Sequence, residues 1–149
     1  MSTLKTDIQA GRVVLSGILD ENSDLKALHG LKGPLLINFK DVKRVNSCGV
    51  REWVNLLGAL PGIQMTYEEC PVVIVKQLNA VPDFQGKAKV TSFFAPYFCK
   101  KCKKQAAKLI QASQVQDGKS EEPKCETCGE AMKFDSVPGQ FYSFLKRTA

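Results

Sequence analysis

The chain reads as an α/β sheet with covering helices, followed by a small appendage built on four cysteines. Two observations predict this. Up to about residue 95, short β-branched and apolar runs alternate with stretches whose apolar residues recur at helical spacing. Beyond it, two C-x-x-C pairs, Cys99/Cys102 and Cys125/Cys128, stand 22 residues apart. The expected division is residues 1–95 and residues 96–149.

The elements follow in order. Leu4–Ile8 alternates weakly, Ala10-Gly11-Arg12 supplies a turn, and Val13–Leu19 is β-branched and apolar, so the chain opens with a hairpin. Asn22 or Ser23 can cap a short helix through Leu25, Leu28 and Leu31, ended by Gly30 or Gly33 and carrying His29, the single histidine, as a surface or half-buried residue. Pro34–Phe39 is a compact apolar run that suits a buried strand of a mostly parallel sheet. From Val50, the apolar residues Val50, Trp53, Val54 and Leu57 share one helical face, and Arg51, Glu52 and Asn55 fall away from it. Gly58–Gly62 stops that helix, and Ile63–Tyr67 alternates as a strand. Pro71–Val81 mixes β-branched residues with a helical stripe of Ile74, Val75, Leu78 and Val81; proline at its start favours a helix. Lys89–Ala95 reads as one more strand running straight into Pro96–Cys99.

Composition places the chain among ordinary globular proteins. Of 149 residues, 44% are hydrophobic and 24% charged, enough for one domain with a core and an appendage. Residues 1–12 hold no apolar run of signal-peptide length, and nowhere do roughly 18 apolar residues follow one another, so a cytoplasmic location is expected. Six cysteines in a reducing compartment point to metal ligation or chemistry before disulfides. The net charge of +6 invites a nucleic-acid partner, but its distribution argues against one. Residues 1–98 carry 11 Lys+Arg against 9 Asp+Glu, and residues 99–149 carry 10 against 6, an excess that a thiolate centre would absorb.

Between the central strand and its helix lies Val45-Asn46-Ser47-Cys48-Gly49. Asn46 or Ser47 can cap the helix, and Gly49 leaves its first turn uncovered, so free amide donors and the positive dipole end offer a place to hold an anion or a phosphate. Leu15–Asp20, a strand ending in an apolar residue, together with Asn46-Ser47-Cys48-Gly49-Val50 opening a helix, resembles the STAS family of bacterial anti-sigma-factor antagonists over residues 1–95. In that family the loop reads Asp-Ser-Ser or Asp-Ser-Thr followed by Gly, and the first hydroxyl residue is phosphorylated by a kinase that is also the anti-sigma factor. Ser47 matches the phosphorylated serine and Gly49 the glycine; Asn46 and Cys48 depart from the pattern. The resemblance implies a non-enzymatic signal-transduction module that binds another protein, such as an anti-sigma-factor-like kinase, through Asn46, Ser47, Cys48, Gly49 and Arg51.

The doubled C-x-x-C is the most specific motif. Each pair brings two thiolates onto one tetrahedral ion from a tight turn, and Cys99, Cys102, Cys125 and Cys128 together close a structural shell, read as one Zn²⁺ per chain. Iron shares this ligand set, whereas a thioredoxin-like redox role leaves the second pair without a purpose. The segment resembles a zinc ribbon with arms over residues 103–115 and 130–144 and a distal turn over residues 117–123. Gln105–Ala112 also fits a helix. Lys100, Lys101, Lys103, Lys104 and Lys108 read as counter-charge to the thiolates and a solvated face, and Phe141–Leu145 as core beneath the ribbon. Cys48 and Cys70 lack ligand spacing and read as small packed residues. One histidine and no convergent acid pair leave no catalytic constellation, so a non-enzyme is expected. The rivals are a nucleic-acid-binding zinc-ribbon protein and an accessory STAS subunit of a membrane transport system.

Overall fold

The computed structural model describes residues 4–60, 62–116 and 122–147. The first sheet is mixed. Strands β1 (Lys5–Gln9) and β2 (Arg12–Leu19) form an antiparallel hairpin; its turn residues Ala10 and Gly11 both have positive φ, the twist that a two-residue hairpin turn requires. Strands β3 (Leu35–Val45), β4 (Met65–Glu68) and β5 (Lys89–Val90) then add in parallel, in the order β1-β2-β3-β4-β5. Each parallel step joins neighbours, so right-handed connections carry the helices α1 (Ser47–Gly58), α2 (Val72–Ala80) and α3 (Pro82–Gln85) onto one face.

That face holds the core. Phe39, Trp53, Tyr67 and Phe84 meet at centroid distances from 5.0 to 6.2 Å. Trp53 Nε1 donates to Tyr67 Oη (3.0 Å), which donates to the Phe84 carbonyl (2.9 Å), so both polar tips are satisfied. Burial raises the Tyr67 phenol far above its ordinary pKa, keeping it a donor at any physiological pH. The opposite face is polar: buried Asn38 Nδ2 donates to Glu68 (2.8 Å) and Glu69 (2.7 Å), and Arg12 reaches Glu68 across β3 at 3.1 Å.

Several sequence expectations need correction. The helix expected through Leu25, Leu28 and Leu31 is a single 3-10 turn at Lys26–Leu28. Ser23 closes the turn after β2 instead, accepting from Asp20 N (2.8 Å) and donating to the Ile18 carbonyl (3.1 Å), while Asp24 takes the Lys26 amide; these short polar side chains compete with helix hydrogen bonds. The strand expected to end at Phe39 continues to Val45, because register shifts against β2 keep Val42 buried while Lys40, Asp41, Lys43 and Arg44 stay in water. The strand expected over 89–95, running straight into 96–99, is two strands in different sheets, β5 and β6 (Ser92–Cys99), separated at Thr91. Beyond Pro82, where the helical stripe was expected to end, α3 adds a further turn that buries Phe84.

The second sheet is antiparallel, in the order β7-β6-β8, with β7 (Lys104–Gln111) and β8 (Lys133–Phe134) flanking β6. Residues 105–111 are thus strand. The first arm of the expected ribbon pairs with β6, so the division between residues 95 and 96 falls inside that strand. The second arm departs from expectation: after two residues of β8 the chain turns into α4 (Pro138–Phe141), with Pro138 in its first turn, and a 3-10 stretch at Ser143–Arg147. Asn79 of α2 holds this stretch, donating to the Phe141 carbonyl (2.9 Å) and accepting from Ser143 Oγ (2.8 Å) and Phe144 N (2.9 Å). Phe141, Tyr142 and Phe144 are buried around Phe93, joining both sheets in one apolar cluster, as the reading of these aromatics as core requires. Of the distal turn expected over residues 117–123, residues 117–121 lie outside the described residues.

Gly49 is where α1 meets β2: a Cβ there would clash with the Leu19 carbonyl group, while one at Gly58, on the same helix, meets none of the described residues within 4 Å. We predict that Gly49→Ala destabilises the protein by at least about 2 kcal/mol, whereas Gly58→Ala is neutral or stabilising by up to about 1 kcal/mol. Urea unfolding midpoints of the two variants check this.

Candidate functional site

Two turns bring the four predicted cysteines together. The first is the β6–β7 turn: Cys99 ends β6, Lys103 takes a positive φ, and the Cys102 amide points at Cys99 Sγ (3.4 Å). The second precedes β8. There the Cys125 amide donates to the Glu130 carbonyl (2.8 Å), Gly129 N donates to the Cys125 carbonyl (2.8 Å), and Gly129 adopts φ +76° with open space around it, so glycine is needed for conformation and not for room. The isolated bridge between Lys124 and Ala131 closes this second knuckle.

All four Sγ atoms lie within 4.8 Å of one another, Cys99 and Cys125 buried, Cys102 and Cys128 half-buried. Sulfurs bound at about 2.3 Å around a tetrahedral ion stand about 3.8 Å apart, and the cross-knuckle contacts here are 3.5 Å (Cys99–Cys128) and 3.9 Å (Cys102–Cys125). The cluster therefore fits a metal ion. Its electrostatics fit too: the Cys128 and Thr127 amides lower the Cys125 thiol to about 6, while the Cys102 thiol, hydrogen-bonded to Cys128 and partly desolvated, is pushed up to about 12. Without a cation Cys125 ionises while Cys102 keeps its proton; with one, all four can ionise.

The lysines near the centre divide by role. Lys104 Nζ reaches Thr127 Oγ1 (3.3 Å) and Lys108 Nζ reaches Glu126 (3.4 Å), tying β7 to the second knuckle. Lys100, Lys101 and Lys103 are exposed and have no ion pair among the described residues. Tyr97, beside them, is buried, and Phe98 half-buried.

The Ser47 loop joins β3 to α1. Asn46 is the cap: its Oδ1 accepts from Gly49 N (2.8 Å), and its Nδ2 donates to Glu21 Oε2 (2.8 Å), an interaction that lowers the exposed Glu21 carboxyl pKa. Ser47 is the first helical residue, exposed, with no side-chain hydrogen bond among the described residues. Arg51 is exposed and Cys48 half-buried. Gly49 is buried against Leu19, so the first turn expected to lie uncovered is closed on that side by the end of β2. Sequence reasoning missed Glu21, a carboxylate beside the helix start that comes from 25 positions upstream; no local pattern announces it. A groove of about 440 Å³ lies next to the loop, lined by Ile18, Asp20, Lys43, Arg44, Val45, Asn46 and Val73. His29 is exposed, and Cys70 is fully buried with its thiol pKa raised by desolvation.

Compared with protein-family models, curated proteins and solved structures, the chain matches none. No helix among the described residues is long and apolar enough to cross a membrane.

The division of labour at the loop gives a prediction. Asn46→Ala removes the cap and should cost about 1 kcal/mol, whereas Ser47→Ala should stay within about 0.5 kcal/mol of wild type. Equal losses in thermal or urea unfolding would contradict the assignment of Asn46 as cap.

Proposed function

We propose that this protein is a non-enzymatic binding module of the STAS type, acting in signal transduction through the loop at the start of α1 and carrying a structural zinc ion between its knuckles. The observation that carries the reading is the Ser47 hydroxyl, which has no hydrogen bond among the described residues: Asn46 does the capping at the position next to the one where the resemblance puts a phosphorylated residue. A phosphate there adds about −1.5 to −2 charges beside a helix N-terminus that favours anions, with Glu21 the group it repels. Modification then changes the surface a partner meets and leaves the core alone. The partner is another protein, an anti-sigma-factor-like kinase in the resemblance.

Zinc is supported by four sulfur donors in a closed tetrahedral spread, a ligand set with no position left for substrate. Two of the five lysines near the centre are engaged with the second knuckle, and Tyr97 is buried, which argues against a nucleic-acid platform there.

Metal analysis of the purified protein should find about one Zn²⁺ per chain, lost in Cys125→Ser and kept in Cys48→Ser. For the loop, a protein captured from native lysate should bind Ser47→Asp and Arg51→Glu about tenfold more weakly than wild type, a difference of about 1.4 kcal/mol, and Ser47→Ala equally well. Identical affinities across the three variants would place the binding surface elsewhere.

A further inference from the structure

The four sulfurs contain a second arrangement besides metal ligation. The contacts at 3.5 Å (Cys99–Cys128) and 3.9 Å (Cys102–Cys125) both run from one knuckle to the other, and each joins a half-buried sulfur to a buried one. A small oxidant reaches Cys128 and Cys102; the buried neighbour of each is already in contact to trap the product. We propose that Cys102 and Cys128 are oxidation sites, and that hydrogen peroxide converts the centre into two cross-knuckle disulfides, Cys99–Cys128 and Cys102–Cys125, with release of bound metal. The inference rests on the sulfur cluster and not on which metal fills it.

The chemistry balances. The Cys128 thiolate attacks peroxide: an S–O bond forms, the O–O bond breaks, and the departing hydroxide takes a proton to become water. The Cys99 thiolate, freed as the metal leaves, then attacks the sulfenic sulfur; an S–S bond forms, the S–O bond breaks, and the departing hydroxide takes a proton to become a second water. Sulfur is oxidised and peroxide oxygen reduced, one peroxide for each disulfide, and Cys102 reacts with Cys125 in the same way.

Linkage across the knuckles fits the fold better than linkage within them. Cross-linking needs the two turns to approach until the sulfurs are about 2 Å apart, and those turns are already tied by Lys104–Thr127 and Lys108–Glu126. Linkage within a knuckle distorts turns shaped by the Cys102 amide on Cys99 Sγ and by Gly129 N on the Cys125 carbonyl. The crossed disulfides also span sequence separations of 29 and 23, closing long loops and so restricting the unfolded chain far more than a C-x-x-C link does. Oxidation thus exchanges one staple for another, and the second sheet stays together without its ion. Cys48, half-buried, has no sulfur contact among the described residues, and Cys70 is sealed in the core.

The test treats reduced, metal-loaded protein with stoichiometric hydrogen peroxide, alkylates without reduction and maps the peptides by mass spectrometry, while a chromogenic chelator follows metal release. The expected result is a loss of four hydrogens, Cys99–Cys128 and Cys102–Cys125 linkages that dithiothreitol reverses, and slower proteolysis between residues 102 and 125 than in reduced, chelated protein. Cys99→Ser should accumulate a dimedone-reactive sulfenic acid at Cys128; if that variant does not fold, the wild-type map decides. Cys99–Cys102 and Cys125–Cys128 linkages, overoxidation of Cys102 and Cys128 without linkage, or four thiols left free would each overturn the proposal. Crossed linkages formed in protein that carries no metal as purified would support the oxidation chemistry and count against the zinc reading instead.

Discussion

A backbone strand cannot serve two sheets with the same hydrogen-bonding groups, and at Thr91 this chain changes from one sheet to the other. The Thr91 amide donates to the Tyr67 carbonyl (2.9 Å) on the side of β4, where Cys70 goes on to bridge Phe93, while its own carbonyl accepts from the Ala112 amide (2.8 Å) at the end of β7, beginning the second sheet. The next strand, β6, has Phe93, Ala95, Tyr97 and Cys99 buried in alternation. That alternation carries Cys99 from the α/β core to the sulfur cluster on a single strand. The sulfur cluster is positioned by the sheet switch as much as by its own turns.

The C-terminal stretch completes the same body from the other side. Asn79 makes three hydrogen bonds to it, and Phe141, Tyr142 and Phe144 pack around Phe93 while Phe134 of β8 stacks against Tyr142 at 5.3 Å. Each aromatic contact contributes on the order of 1 kcal/mol beyond its buried area. Events at the second knuckle are therefore connected to α2 through Phe134 and the residues that follow it. An appendage hung on a linker has no such path.

At the loop, three residues divide work that one residue does in simpler helix starts. Asn46 satisfies a helix amide, Glu21 occupies the far side of the Asn46 amide group, and Gly49 lets the helix approach the Leu19 carbonyl. The positive end of the helix is thus partly answered from within the protein. Ser47 and Arg51 remain at the surface, next to a groove that Lys43 and Arg44 help to line.

The chain by itself determined its α/β class, the opening hairpin, α1, α2 and the four-cysteine cluster, because each depends on local pattern. Val50, Trp53, Val54 and Leu57 repeat at helical period whatever surrounds them, and a C-x-x-C pair converges through a turn that its own residues shape. The tertiary structure decided what local pattern leaves open. Leu25, Leu28 and Leu31 have helical spacing but form only one 3-10 turn, since Ser23 and Asp24 take the backbone donors. Lys40–Val45 is charged enough to pass for a loop, yet β2 pairs with it and bulges keep its charges out of the core. Glu21 reaches Asn46, Asn79 reaches Phe144, and Cys99 meets Cys128 across separations of 25, 65 and 29 residues, where only the folded chain brings the partners within hydrogen-bonding or contact range.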